Sequence, residues 1–186
     1  MSDFRLVLNN EILVLTGPPG AGKSTVAVSL INLLDLAVGM DGDRFFQSIK
    51  RGWIPPWEPA ADHQNGVVID AIGSAANRYA RGGYAVILDG IIGPWMISRF
   101  VSAAGAPIHY VVLRPSADVA MERAIARGEP WLIDPEPIAK MYTEFCDLGG
   151  FEKHVVDTTE LDIQGTITMI SDGLSEGSFR LEQQSS

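Results

Sequence analysis

One segment near the amino terminus limits the possible folds of this chain more than any other feature. It fills every fixed position of the pattern G-x-x-x-x-G-K-[ST]. It consists of Gly17, Pro18, Pro19, Gly20, Ala21, Gly22, Lys23, Ser24 and Thr25. An apolar run at 11–15 precedes the segment, and apolar residues recur at helical spacing through 24–34 after it. The sequence therefore predicts a strand, a glycine-rich loop and a helix in that order.

The residue types of this segment are those that a polyphosphate requires. Glycines let the backbone curl around a phosphate group without Cβ clashes, so that several N–H groups can point at it. The helix that follows offers unpaired N–H groups and a dipole that favour an anion. Lys23 is predicted to reach the β- and γ-phosphates, and the Ser24 hydroxyl is predicted to bind Mg²⁺. The alternative is a glycine-proline turn before an ordinary helix, but the complete pattern in this context favours ATP with Mg²⁺.

Strands and helices are predicted to alternate along the rest of the chain. Short apolar runs suit buried strands, and amphipathic segments such as 62–81 and 94–104 suit helices between them. We therefore expect a single α/β domain over 1–186, a three-layer sandwich with a five-stranded parallel sheet. The irregular segment within 128–150 is predicted to be a small lid, and the polar residues 175–186 are predicted to be a disordered tail.

Aspartates follow two of the predicted strands. Asp41 and Asp43 come after the apolar run 36–40, and Asp89 comes after the run 84–88. In an open α/β sheet ligands lie at the carboxyl ends of the strands, so these carboxylates can face the terminal phosphate of a nucleotide, its Mg²⁺ or the acceptor. The alternative for Asp43 is an N-cap of the next helix, and the two interpretations are compatible.

An aromatic loop follows the first pair of aspartates. The segment 52–59 contains three prolines within five residues, which prevents a regular helix or strand. Trp53 and Trp57 lie in this loop. They either cover the core or line a small-molecule pocket, and the sequence favours neither.

Two arginines are four residues apart on a predicted helix. Arg123 and Arg127 therefore share one helix face and can direct two guanidinium groups at one anion. The alternative is a solvated basic face with Asp118 and Glu122 as partners. We favour the functional interpretation.

Together these residues resemble the small P-loop kinases. That group includes nucleoside monophosphate kinases, shikimate, gluconate and adenylylsulfate kinases, and chloramphenicol phosphotransferase. The resemblance covers nearly the whole chain and rests on the glycine-rich loop and the segments 40–43, 88–90 and 123–127. It implies the P-loop NTPase architecture and transfer of the γ-phosphate of ATP to a hydroxyl group of a small molecule.

The resemblance also implies roles for individual residues. One aspartate of the pair after the second strand would be the base that orients the acceptor hydroxyl, and Lys23 with Arg127 would neutralise the transferring phosphate. Arg123 would stack on adenine, and the turn with Asp157 and Thr159 would lie near it. The acceptor would contact Asp41, Arg44, Trp53, Trp57 and Asp89.

One position departs from the nucleoside monophosphate kinases. They carry an arginine after the strand-three Asp-Gly pair that holds the phosphate of the acceptor, whereas Ile91 and Ile92 follow here. Trp53, Trp57 and Trp95 lie in the same half of the chain. By analogy with chloramphenicol phosphotransferase, the acceptor is expected to be neutral or partly aromatic.

Charge and composition argue against several other classes of protein. The net charge is −9, and the whole acidic excess lies in 128–186, so a basic surface for nucleic acid is not expected. The longest uncharged run, 100–113, is too short to span a bilayer, and the first residues do not resemble a signal peptide. We expect a cytoplasmic protein. The single cysteine, Cys146, excludes an internal disulfide.

Two rival functions use the same loop. A P-loop ATPase that activates water usually has a glutamate after the strand-three aspartate, and that position is Gly90 here. A non-catalytic nucleotide-binding module would bind ATP but would show no turnover that depends on an acceptor.

Overall fold

The computed structural model describes residues 6, 8–126 and 135–182 of the chain. The strands are β1 (Ile12–Thr16), β2 (Ala37–Asp41), β3 (Ala85–Asp89), β4 (Ile108–Leu113) and β5 (Val155–Val156). The helices are α1 (Lys23–Ile31), α2 (Gly42–Gln47), α3 (Asp62–Arg81), α4 (Pro94–Ala104), α5 (Ala117–Ala126), α6 (Pro135–Thr143) and α7 (Ile163–Glu176). Short 3₁₀ helices span Pro59–Ala61 and Gly149–His154.

The five strands form one parallel sheet in the order β2-β3-β1-β4-β5. This confirms the predicted α/β fold and the number of strands. In the sheet register Asp41 of β2 is opposite Asp89 of β3, and Asp89 is opposite Leu15 of β1. The carboxyl ends of three neighbouring strands therefore lie side by side, at an end of the sheet that we call the carboxyl edge. We call the opposite end the amino edge.

Hydrophobic cores cover both faces of the sheet. Alternate residues of β1 point to opposite faces, so Ile12 and Val14 join one core while Leu13 and Leu15 join the other. The first core contains α3 and α4, and the second contains α1 and α7. Every residue of β1 is buried, as expected for a central parallel strand that helices cover on both faces.

Helices α3 and α4 run side by side in the same direction. A Cβ atom at Gly66 would lie 2.5 Å from the Arg99 guanidinium, and one at Gly73 would lie 2.7 Å from Ala103 Cβ. Glycine at these positions therefore allows the two helices to pack closely. Since α4 starts directly after the loop that follows β3, the start of α3 also lies near the carboxyl edge.

The prediction of a disordered tail is wrong for residues 175–182. Helix α7 continues to Glu176, and the chain then turns back to pair with β4 through hydrogen bonds from Tyr110 N to Phe179 O, 2.8 Å, and from Leu181 N to Ile108 O, 2.9 Å. The Phe179 side chain is buried. The segment is ordered because β5 pairs with only the last residues of β4, which leaves the first half of β4 with an open side.

The predicted lid lies partly outside the described residues, because 127–134 are not among them. In the described part, the segment contains helix α6, Pro135–Thr143. Closure of this segment over a nucleotide stays a prediction. Among the described helices, none combines the length and the hydropathy that a bilayer span requires.

Candidate functional site

The glycine-rich loop occupies a space that only glycine fits. A Cβ atom at Gly17 would lie 2.1 Å from the carbonyl oxygen of Leu113, and one at Gly20 would lie 2.0 Å from the carbonyl oxygen of Ala120. Both glycines also have positive φ angles, 140° and 78°. The loop therefore rests directly against the end of β4 and against α5, which brings α5 alongside it.

The lysine of the loop is folded back onto the loop itself. The Lys23 ammonium donates hydrogen bonds of 2.9 Å to the carbonyl oxygens of Gly17 and Pro18. An ammonium group held on neutral carbonyls can exchange them for the more strongly attracting oxygens of a phosphate. Lys23 is therefore in place at the loop, as predicted.

The hydroxyl at the start of α1 is joined to the end of β3. Ser24 Oγ donates a hydrogen bond of 2.6 Å to Asp89 Oδ2. Burial raises the pKa of the Asp89 carboxyl above its ordinary range, the Ser24 hydrogen bond lowers it, the neighbouring Asp41 carboxylate raises it and the Lys23 charge lowers it. A hydroxyl and a carboxylate oxygen this close together form a donor set that suits Mg²⁺, which usually keeps several waters and takes few protein ligands.

Asp41, not Asp43, caps helix α2. Its Oδ1 accepts hydrogen bonds from the backbone N–H groups of Asp43, 2.9 Å, and Arg44, 3.4 Å. Its Oδ2 accepts a hydrogen bond of 3.2 Å from Arg44 Nε. The alternative that Asp43 is the N-cap is therefore wrong, because Asp41 is the last residue of β2 and the extended backbone needed for a cap occurs there. Asp43 lies in the first turn of α2 and is exposed.

Sequence reasoning missed two residues that hold the loop after β3. Thr16 Oγ1 accepts a hydrogen bond of 3.0 Å from Ile92 N, and the Tyr110 hydroxyl donates one of 2.8 Å to Ile92 O. Both side chains are fully buried, and burial raises the pKa of Tyr110 well above its ordinary value. The sequence feature that could have identified Thr16 is a polar residue at the end of a buried strand. These bonds keep the loop between Asp89 and α4 in one position.

The structure also places Trp53 and Trp57 next to each other. Their ring centroids are 6.4 Å apart and the rings are nearly perpendicular, at 79°. Trp53 is 46% exposed and Trp57 is 44% exposed, so a large part of each ring is accessible to a ligand. Of the two alternatives that the sequence left open, this exposure favours the second.

The predicted base-binding residues lie beyond β5 and on α5. Asp157 Oδ1 accepts hydrogen bonds from Thr159 N, 2.9 Å, and from Thr159 Oγ1, and these hydrogen bonds lower the pKa of Asp157. Thr159 Oγ1 in turn accepts a hydrogen bond of 2.8 Å from Ser116 N, which ties the turn to the start of α5. Arg123 is exposed on α5, and Arg127 lies outside the described residues, so the predicted arginine pair is not placed.

The described residues at the carboxyl edge fit ATP with Mg²⁺. The loop has a cradle from which Cβ atoms are excluded, a lysine that can be released from its carbonyl partners, and a hydroxyl beside a half-buried carboxylate. No group of three or more His, Cys, Asp or Glu side chains within the described ranges could hold a metal by itself. A divalent ion here would therefore depend on the oxygens of the nucleotide as well.

Comparison with known families gives one match. The model of a family described as an AAA domain matches residues 12–137, about two-thirds of the chain, from β1 into α6. No curated protein matches the chain in sequence.

Solved structures with the same fold include several kinases. A sugar kinase from Janibacter superimposes with a TM-score of 0.70 at 16% identity, over 89% of this chain and 94% of its own. The tunicamycin resistance protein of Deinococcus radiodurans superimposes with a TM-score of 0.67 at 18% identity, over 93% of this chain and 99% of its own. The APS kinase of Mycobacterium tuberculosis, solved with AMPPNP and APS, superimposes with a TM-score of 0.67 at 16% identity, over 91% of this chain and 99% of its own. At these identities the likeness shows a shared P-loop kinase fold.

Proposed function

The chain belongs to this AAA domain family and has the fold of the P-loop kinases, and on that premise we propose that it transfers the γ-phosphate of ATP to a hydroxyl group of a small molecule. The observation that carries the proposal is the alignment of Asp41 with Asp89 beside the glycine-rich loop. Asp89 then lies on the metal side, and Asp41 holds the first turn of α2, which carries Asp43, on the acceptor side. The bound nucleotide would supply the phosphoryl group and, with Mg²⁺, part of its charge neutralisation.

Lys23, Ser24 and Asp89 act on the nucleotide side in this proposal. Lys23 leaves the carbonyls of Gly17 and Pro18 and binds the β- and γ-phosphate oxygens. The Ser24 hydroxyl and Asp89 would hold the divalent ion, directly or through water.

The first turn of α2 acts on the acceptor side. Asp41 has both carboxylate oxygens engaged, with backbone N–H groups and with Arg44, and so orients the helix start. We assign Asp43 as the group that aligns the attacking hydroxyl. The acceptor oxygen forms a bond to the γ-phosphorus as the bond to the ADP oxygen breaks, and the hydroxyl proton passes to the Asp43 carboxylate.

The sequence disfavours a water-activating ATPase at this site. A glutamate that polarises water would follow Asp89, and that position is Gly90. A Cβ atom at Gly90 would lie 3.4 Å from Gly42 Cα, so β3 and the start of α2 approach closely here.

The test is a screen for acceptors that stimulate release of ADP. Candidates are neutral sugars, amino sugars and aromatic alcohols, with an oligonucleotide that bears a free terminal hydroxyl as the nucleic-acid arm. We expect at least one small hydroxyl compound to raise ADP release and to gain a phosphate that mass spectrometry detects. ATP binding without turnover for every class would instead identify a nucleotide-binding module, and turnover with water alone would identify an ATPase.

A further inference from the structure

Two large aromatic side chains form an exposed corner in the connection between α2 and α3. The rings of Trp53 and Trp57 meet at 79° with their centroids 6.4 Å apart, and we call this pair the aromatic corner. Indole rings usually lose most of their exposed surface on folding, because burial of a large aromatic is strongly favourable. Here nearly half of each side chain remains in solvent. An exposed, contiguous aromatic surface on an ordered loop is typical of a binding site.

The loop that carries the aromatic corner is held to α3 by side-chain hydrogen bonds. Gln64 forms two hydrogen bonds with the backbone of Ile54. Ile54 N donates to Gln64 Oε1, 2.8 Å, and Gln64 Nε2 donates to Ile54 O, 2.7 Å. Asn65 Nδ2 donates a bond of 2.7 Å to Pro56 O, while Asn65 Oδ1 is buried with no partner among the described residues. The corner is therefore preorganised, which reduces the entropy that a ligand would have to overcome.

The aromatic corner lies on the side of the sheet where the catalytic aspartates are. It follows α2, whose first turn contains Asp41 and Asp43, and it precedes the start of α3. With 20 residues α3 is about 30 Å long. Strand β3 has 5 residues and is about 17 Å long. Because α3 leads back to the start of β3, its first turns and the loop before them extend beyond the carboxyl edge.

The chemistry of this region indicates an uncharged ligand. Ile91 and the buried Ile92 follow Asp89-Gly90, the exposed Arg44 is paired with Asp41, and the cation nearest to the corner in sequence is the exposed Arg51. We propose, on the basis of the function proposed above, that the aromatic corner binds the phosphoryl acceptor and that the acceptor presents a neutral ring face. Both a pyranose ring and an aromatic ring have such a face. A ring that stacks on one indole meets the edge of the other, so the corner fixes its direction as well as its position.

Gln64 acts in this proposal as a positioning residue for the corner. Its substitution by glutamate keeps the size but replaces the Nε2 donor, so the bond to Ile54 O is lost. The corner loosens while the indole rings remain. We therefore expect Gln64→Glu to raise the acceptor KM or Kd by about fivefold and to leave kcat little changed, because the reacting groups are untouched.

A second aromatic pair at the other end of α3 is a matched control. Tyr79 and Tyr84 also meet edge to face, with centroids 6.2 Å apart at 80°, and Tyr79 is 45% exposed. This pair lies near the start of β3, at the amino edge. The substitution Tyr79→Ala therefore removes an exposed aromatic of the same geometry without affecting the proposed acceptor site.

The experiment is a titration of fluorotryptophan-labelled protein without nucleotide, followed by fluorine NMR. The chain has four tryptophans, so the signals can be assigned with single Trp→Phe variants. The neutral probes are methyl glucopyranoside and phenylethanol. The anionic counterpart of the first is glucuronate, and that of the second is phenylpropionate. We expect at least one neutral probe to shift the Trp53 and Trp57 signals, with its anionic counterpart binding about tenfold more weakly. Either Trp53→Ala or Trp57→Ala should weaken that binding by about tenfold, a loss that Tyr79→Ala should not produce.

The outcomes separate the two proposals. If a hydroxyl compound is phosphorylated but its KM is the same in wild type, Trp53→Ala and Trp57→Ala, the aromatic corner is not the acceptor site although the function stands. If the neutral probes shift the signals but no compound is phosphorylated, the corner binds rings and the proposed function is wrong. If the anionic probes bind more strongly than the neutral probes, and Arg51→Gln abolishes that binding, the proposal that the acceptor is neutral is wrong. Self-association that depends on Trp53, without any probe binding, would identify the corner as a contact between copies of the chain.

Discussion

The two edges of the sheet hold charged groups in different ways. At the carboxyl edge, Lys23 is bound to loop carbonyls and Ser24 to Asp89, in half-exposed positions where phosphate oxygens or a divalent ion can take over each partner. At the amino edge, the buried His109 is 3.2 Å from Glu11 Oε2, and Arg180 is 3.7 Å from Glu11 Oε1. Arg180 belongs to the returning C-terminal segment and pairs with His109 of β4.

The difference follows from what lies at each edge. Near the amino edge, residues 178–182 pair with the open side of the first half of β4, so the backbone groups there already have partners within the chain. The carboxyl edge carries loops with glycines, whose polar groups have partners that a ligand can replace. The amino edge therefore contributes stability, and the carboxyl edge is available for ligand binding and catalysis.

The largest expected effect concerns Asp43 at the carboxyl edge. Asp43→Asn keeps the shape and removes the carboxylate that aligns the hydroxyl, so kcat should fall by roughly a hundred- to ten-thousandfold with ATP affinity little changed. Asp41→Asn should cost less, because asparagine is also a good N-cap and only the ion pair with Arg44 is lost. Steady-state kinetics with the identified acceptor measures both. Wild-type rates in both variants would remove this aspartate pair from the mechanism.

The next effect belongs to the amino edge. Phe179→Ala opens a cavity against Gly173, where the ring and the helix backbone touch, and should lower the free energy of unfolding by about 3 kcal/mol. ATP affinity should stay unchanged. Denaturant unfolding and calorimetry check this, with the exposed Met169→Ala as the control. A Phe179 variant of wild-type stability and reduced ATP affinity would contradict the division between the edges.

Lys23→Ala should weaken ATP binding by about ten- to a hundredfold, because a charged hydrogen bond to the phosphates is lost. Lys50→Ala is a matched control, since Lys50 also donates to a backbone carbonyl, that of Gln47, at 2.7 Å. Isothermal calorimetry measures both affinities. Equal affinity in Lys23→Ala and wild type would show that the loop does not bind the nucleotide as proposed.

The smallest effect is a gain of stability. Because burial raises the pKa of Asp89 in the folded chain, its contribution to stability is fully present below the ordinary aspartate pKa of 3.8 and is lost as pH rises through the folded value. Asp89→Asn should therefore unfold at a higher temperature than wild type at neutral pH, with the difference shrinking towards acid pH, and should bind ATP less tightly in Mg²⁺. Thermal unfolding at several pH values is the measurement. A lower unfolding temperature at neutral pH would mean that the carboxylate stabilises the fold.

Some elements were predictable to the residue and others were not. Helix α3 has the predicted bounds because an apolar face repeats over its whole length and a Gly-Gly pair follows it. The ordered C-terminal segment was missed because its order comes from the open side of β4, about seventy residues away in the chain, and its own composition is polar. The role of Gln64 was missed for the same reason: a glutamine in the first turn of a helix has no sequence pattern that links it to the backbone ten residues before it.

The sequence alone determined the phosphate loop, the order of strands and helices, and the aspartates at the ends of two strands. These depend on local chemistry, because glycine spacing, apolar periodicity and capping act over a few residues. Only the tertiary structure decided that Asp41 and Asp89 are neighbours, that Asp41 rather than Asp43 caps α2, that Trp53 and Trp57 form an exposed corner, and that the C-terminal segment pairs with β4. The first and the last depend on strand order and register, which bring together residues far apart in the chain. The cap depends on where β2 ends, and the corner depends on the hydrogen bonds that hold its loop to α3.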